Sequence, residues 1–355
     1  MRIVIFGLTV TSSWGNGHAT TYRGLMKGLT RRGHDVVFLE RDQPWYADNR
    51  DLPEPPYGQT ALYSGLDALA AWTGTVARAD LVIVGSFVPD GVAVGHLVQA
   101  HAPRTAFYDI DTPVTLAALA AGACAYLTPE LLRGYGLYLS FTGGPTLKYL
   151  EHTLGARAAR ALYCSADPAI YQPLAQAAQW DMGYLGTYSC DRQPVLDRLL
   201  NEPARTWPGG RFMVAGPQYP DSIAWPTNVA RTMHLSPAEH RAFYAAQRFT
   251  LNVTRADMVR AGYSPSVRLF EAACCGVPVI SDHWPGLDAF FHPGREIIVA
   301  SNANDVLAAL RSMPEEDRRA IGAAARARVL AAHTGDHRAA ELEAYAHELF
   351  ARVAA

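Results

Sequence analysis

The sequence predicts an α/β protein made of two successive units, each a parallel sheet covered by helices. Three observations predict it. The chain has 355 residues, enough for two cores. Short apolar runs alternate with amphipathic or alanine-rich stretches, the pattern of strands buried on both faces. The rhythm breaks once, over DPAIYQPLAQAAQWD (167–181), and then resumes.

The first unit opens with the strand RIVIFGL (2–8) and the amphipathic helix HATTYRGLMKGLTRRG (18–33). Strands are predicted at DVVFLE (35–40), DLVIVG (80–85), RTAFYDI (104–110) and LYLSF (137–141). Residues 167–181 read as a linker. The second unit carries MGYLGTY (182–188), RFMVAG (211–216), FTLNV (249–253), VPVIS (277–281) and EIIVA (296–300), and reads as helical from Ala303 onward. The division expected is 1–170, 171–335 and a helix at 336–355 placed to pack back on the first unit. Ligands of open α/β sheets bind outside the carboxyl ends of the strands. Two such edges are expected to border a cleft.

Basic and acidic side chains nearly balance, 31 against 33, which excludes the charge footprint of a general nucleic-acid binder. Cys124, Cys164, Cys190, Cys274 and Cys275 form no C-x-x-C pair, and a reducing cytoplasm suits them. The charge-free stretch Thr112–Pro129 is interrupted by Gly122 and is short for a membrane span. The N-terminal apolar run lacks a small-residue cleavage site.

The most informative segment is GYSPSVRLFEAACCGVPVISDHWPG (262–286). Ser264 followed by Pro265 fits a helix N-cap with proline at the first helical position. The helix that follows is apolar around most of its circumference, so it is expected to be buried. Its start, with the backbone of Ser266 and Val267, would offer free N–H groups to an anion. Arg268 lies one turn inside and would add a guanidinium fork. Glu271 is a carboxylate within the apolar arc and requires partners, which sugar hydroxyls would supply. A simple Arg268–Glu271 pair along the helix stays open as the alternative.

This segment resembles the sugar-donor-binding region of GT-B glycosyltransferases of the family-four and family-one type. Those enzymes carry a Glu-x7-Glu signature running into EA-x-x-CG-x-PV, and Glu271-Ala272 with Cys275-Gly276-Val277-Pro278-Val279 match its end. The resemblance assigns Glu271 to the ribose of a nucleotide. The first Glu of the signature falls on Tyr263, a departure at the sugar contact. SSWGNGHATTYRGL, FYDIDTPVTL, LYCSADPAIYQP, FMVAGPQYP, LNVTRADM and YSPSVRLFEA look like blocks of the spore-maturation (CgeB-like) glycosyltransferase group. The resemblance implies two Rossmann-like domains and a nucleotide-diphosphate sugar, with UDP or TDP among the candidate carriers.

Other motifs fit this reading. Gly15, Asn16 and Gly17 follow the first strand, where GT-B enzymes border the acceptor and the sugar-donor phosphates. A nicotinamide fingerprint is disfavoured, with Glu40 as its ribose ligand, because TVTSSW separates the glycines from the strand. His18 is a candidate general base, or else a histidine bonded at a helix start. Asp109 and Asp111 form a literal D-x-D. We read them as strand-end groups that bind acceptor hydroxyls or orient a base, or Asp111 as a helix cap, and expect no metal. Arg192 and Arg255 are candidates for the sugar-donor phosphates, with salt bridges to Asp191 or Asp257 as the plain alternative. Gly216 and Pro217, and Gly143 and Gly144, sit at strand ends where backbone could approach a ligand.

The expected activity is metal-independent transfer of a sugar from a nucleotide-diphosphate sugar to an acceptor nucleophile, with no further cofactor. A nucleotide-sugar epimerase of the same fold and a catalytically silent sugar-binding protein are the rivals. The acceptor is unspecified, and no nucleic-acid or membrane partner is expected.

Overall fold

A computed structural model describes residues 1–354. The chain forms two compact units, one of Met1–Ser165 with the segment from Gly335 onward, the other of Ala166–Thr334.

The first unit is built on a seven-stranded sheet ordered β3-β2-β1-β4-β5-β6-β7. Its strands are β1 Arg2–Gly7, β2 Asp35–Arg41, β3 Gln59–Tyr63, β4 Leu81–Gly85, β5 Thr105–Asp109, β6 Leu137–Ser140 and β7 Ala159–Ala161. All pairings are parallel, with Ile5 opposite Phe38 on one side and Ile83 on the other. Successive residues feed different cores. Val4, Phe6, Val37, Val82 and Val84 belong to one buried cluster, and Ile3, Ile5, Val36, Leu81 and Ile83 to another. Period-two alternation with both faces covered makes these strands read as unbroken apolar runs.

The second unit has a six-stranded parallel sheet ordered β10-β9-β8-β11-β12-β13. Its strands are β8 Trp180–Leu185, β9 Phe212–Ala215, β10 Val229–Thr232, β11 Gln247–Asn252, β12 Val279–Ser281 and β13 Ile298–Val299. Met182, Tyr184, Phe212, Val214, Phe249, Leu251 and Ile280 fill one of its faces. Residues 162–179 contain no helix and no regular strand, and β8 starts within the stretch expected to be linker.

Three strands escaped the sequence reading: β3, β7 and β10. Each lies at a sheet edge and is only partly buried. The outermost strand β13 shrinks from the expected 296–300 to two residues.

The Gly335–Ala354 helix packs in the first unit against the His18–Arg31 helix. Small residues allow close approach: a Cβ on Gly28 would lie 2.6 Å from the Gly335 carbonyl, and one on Gly335 2.3 Å from the Gly24 carbonyl. No helix among the described residues is long and apolar enough to cross a membrane.

Candidate functional site

Both sheets change winding direction at one point, between β1 and β4 in the first unit and between β8 and β11 in the second. The loops leaving those strands frame the crevice where open α/β sheets take ligands.

In the first unit the loop after β1 is fixed by Glu40. Its fully buried carboxylate accepts from the Thr9 hydroxyl (3.0 Å), the N–H groups of Val10 (2.7 Å) and Thr11 (3.0 Å), and the Thr11 hydroxyl (2.7 Å). Glu40 is thus committed to loop structure, which removes it as a ribose ligand. Arg23 adds a bond to the Val10 carbonyl and a bidentate pair with Asp51. The carboxamide oxygen of Asn16 accepts from the N–H groups of His18 and Ala19, both at 3.1 Å, so Asn16 secures the helix start. Gly15 and Gly17 have open space where a side chain would stand.

His18 is the first helical residue and is buried. Its ring stands edge-on to Phe87 at 5.4 Å, and Nδ1 has no hydrogen-bond partner. Burial pulls its pKa down to about 4, so the imidazole is neutral near pH 7. Asp109, expected to bind acceptor hydroxyls or orient a base, makes no bond to His18. Asp109 is buried in its own network, accepting from Thr115 (2.7 Å) and Tyr138 (2.5 Å). Burial drives its pKa up to about 6 against those hydrogen bonds, with the Asp111 charge adding to the rise. This network makes Asp109 a buried structural acid. Asp111 occupies the N-cap position of the Thr112–Ala120 helix, and its carbonyl accepts from Val114 and Thr115. A Cβ on Gly143 would fall 1.9 Å from the Tyr163 hydroxyl, the movable end of that side chain, and Gly144 has φ 57°.

In the second unit three arginines gather at the switch point. Arg268 is buried. Its Nε donates to the Leu185 carbonyl at the end of β8 (2.5 Å), and Nη1 to the Asn252 side chain at the end of β11 (3.0 Å). Its guanidinium lies over the Tyr184 ring at 5.0 Å. The alternative of an Arg268–Glu271 pair is not formed, and Nη2 keeps no protein hydrogen bond among the described residues. Arg192 donates to the Thr187 carbonyl (2.5 Å), and its Nε is buried without a partner. Burial lowers the Arg192 pKa, and the charges of Arg268 and Arg255 push the same way. Arg255 occupies the N-cap position of the Ala256–Ala261 helix without a side-chain capping bond, and forms neither salt bridge that the sequence allowed. Asp257 pairs with Arg260, and Asp191 accepts from Ser189 and from the Ala256 N–H. The cluster is therefore cationic without a countering carboxylate bond, an arrangement that favours an anionic ligand.

The helix expected to begin at Pro265 with Ser264 as N-cap begins at Val267, with Ser266 as N-cap and Ser264 buried before it. Tyr263 has a left-handed φ of 47°, and its N–H donates to the Pro285 carbonyl at 2.7 Å. Glu271 is buried, accepts from the Tyr244 hydroxyl (3.1 Å) and lies 3.8 Å from the His240 ring. Gly216 permits the ends of β8 and β9 to meet, because a Cβ there would sit 2.0 Å from the Gly186 carbonyl. The Pro217 carbonyl is taken by the Tyr188 N–H.

Sequence reasoning overlooked Asn252, Asp282 and Phe87. Asn252 joins Arg268 to Thr254 and Ser281, and Asp282 receives the N–H and hydroxyl of Thr254, fixing the loop that carries Arg255. The polar run after FTL in β11 was the available signal. Among the described residues no group of three or more His, Cys, Asp or Glu is arranged to hold a metal ion.

A sequence family described as Glycosyl transferase-like matches residues 192–344. Comparison with curated proteins returned no match. Among solved structures, sucrose-phosphate synthase from Thermosynechococcus elongatus aligns with a TM-score of 0.70 at 15% identity, covering 99% of this chain and 100% of that one. HepE of Anabaena, in complex with UDP and glucose, aligns with a TM-score of 0.71 at 11% identity, covering 98% and 100%. AviGT4, a glycosyltransferase involved in avilamycin A biosynthesis, aligns at 0.62 and 15% identity, covering 99% and 98%. At these identities the structures establish the fold, that of GT-B glycosyltransferases. The family match and this fold together support a glycosyltransferase and do not favour an epimerase.

Proposed function

We propose that the chain transfers a sugar from a nucleotide-diphosphate sugar to an acceptor nucleophile without a metal ion. The second unit holds the sugar donor and the first the acceptor. The observation that carries this is the group of Arg192, Arg255 and Arg268 at the β8/β11 switch point, without a carboxylate partner. Their free N–H groups, with the helix start at Ser266 and Val267, suit a diphosphate and would stabilise it as it departs. Glu271 is assigned to the ribose on its match to the family signature. HepE is described in complex with UDP-glucose, which makes UDP the first carrier to try. The CgeB-like group is the finer assignment and rests on the sequence blocks.

The test is calorimetry and thermal shift with UDP, TDP, GDP and ADP. A ligand at about 100 times its dissociation constant raises stability by roughly 2.7 kcal/mol. Arg255→Ala is expected to weaken binding of the matching nucleotide by about 1.5–3 kcal/mol, the worth of a charge-assisted hydrogen bond. Unchanged affinity in this variant would remove the arginine cluster from the site.

A further inference from the structure

The loop after β4 contains two non-glycine residues in left-handed backbone, Phe87 at φ 60° and Asp90 at φ 57°. A bulky side chain rarely adopts this conformation, and such strain gathers at functional sites. The loop leaves the sheet at a fixed point. Ser86 N–H donates to the Tyr108 carbonyl, and the Ser86 hydroxyl accepts from the Ile110 N–H at 3.0 Å. The turn at Phe87 then sets where its ring points. One side of that ring meets the His18 imidazole edge-on, at 5.4 Å and 90°. It also packs on Tyr126 at 4.7 Å. Tyr126 is tied through Thr115 to Asp109, by contacts of 2.8 and 2.7 Å. Phe87 thus stands between the candidate base and the buried network of β5.

We propose that Phe87 is a positioning residue that uses its left-handed backbone to seat the His18 ring and keep water from it. This rests on the reading of the first unit as the acceptor side. The consequence is chemical. No charged side chain shifts His18, so burial alone keeps the imidazole neutral down to about pH 4. A neutral ring accepts the proton of an acceptor hydroxyl over a wider acid range than an exposed histidine, which charges near pH 6.5.

The test is NMR titration of the full chain labelled at histidine, with His18→Gln identifying the resonance. Phe87→Gly removes the ring and relaxes the backbone, and Phe87→Leu keeps bulk should the glycine variant fold poorly. In Phe87→Gly the His18 pKa is expected to rise toward the ordinary value, with a smaller rise in Phe87→Leu. The acid limb of kcat/KM should follow, making transfer roughly tenfold slower at pH 5 and unchanged at pH 8. An unmoved His18 pKa in both variants overturns the proposal. So does a moved pKa with an unmoved acid limb, because His18 then handles no proton in transfer. UDP binding, measured alongside, is expected to be equal in wild type and variants. Its absence in wild type would instead sink the sugar-donor assignment and leave the His18 titration to be judged alone.

Discussion

Asp109 shows how a motif that reads as a ligand becomes part of the scaffold. The D-x-D spacing suggested groups at a strand end, and both residues do sit there, yet Asp109 points into protein and takes hydroxyls from Thr115 and Tyr138. Its pKa stands near 6 in the fold, because burial disfavours the charge. Folding therefore binds an extra proton below that value. The resulting stabilisation is full below the unfolded carboxyl pKa and is lost as pH rises through about 6. Denaturation of wild type and Asp109→Asn from pH 4 to 8 should show the variant gaining on wild type with rising pH. The gain should be on the order of 2 kcal/mol and level off above pH 7. The same hidden variable, direction of the side chain, explains Glu40 and Asn16. Their types and neighbourhoods were legible, but the N–H groups that claim them lie in loops whose course no periodicity announces. Arg192 and Arg255 drew notice as arginines close to strand ends and Arg268 as one in the first turn of an apolar helix, whereas Asn252 and Phe87 gain meaning only from what they touch.

Among elements, the central strands were readable and the edge strands were not, for one physical reason. A strand paired and covered on both sides is apolar throughout, as in RIVIFG and LVIVG. An edge strand such as QTALY or VART keeps exposed positions and loses the signal. The helix start at Ser266 was displaced by two residues because Ser264 and Ser266 are equally competent caps by type. Ser266 takes the N-cap position without a side-chain capping bond, and Ser264 is buried before it. The pairing of the His18–Arg31 and Gly335–Ala354 helices has a sharper requirement. Gly28→Leu would push a side chain into the Gly335 backbone and Ala339, and overpacking of this kind costs typically about 1–3 kcal/mol. Urea denaturation is expected to give an unfolding free energy lowered by that amount, and a wild-type midpoint would show that the two helices do not need close approach.

For the whole molecule, the proposed division of labour predicts that metal is dispensable. With arginines and a helix start on the diphosphate, transfer should persist in EDTA at its full rate. Loss of turnover restored by manganese would contradict the proposal. The two-unit α/β architecture was legible because the alternation of strands and helices stops and restarts; that each half repeats the same winding order is seen only in the structure. The chain's return is a further property of that architecture. The first unit takes its closing helix from beyond residue 334, after the second unit is complete. Synthesis from the N-terminus therefore delivers the later unit finished while the earlier one still lacks a wall, with Gly24 and Gly28 unroofed. The half that starts first on the ribosome is the half that can finish last.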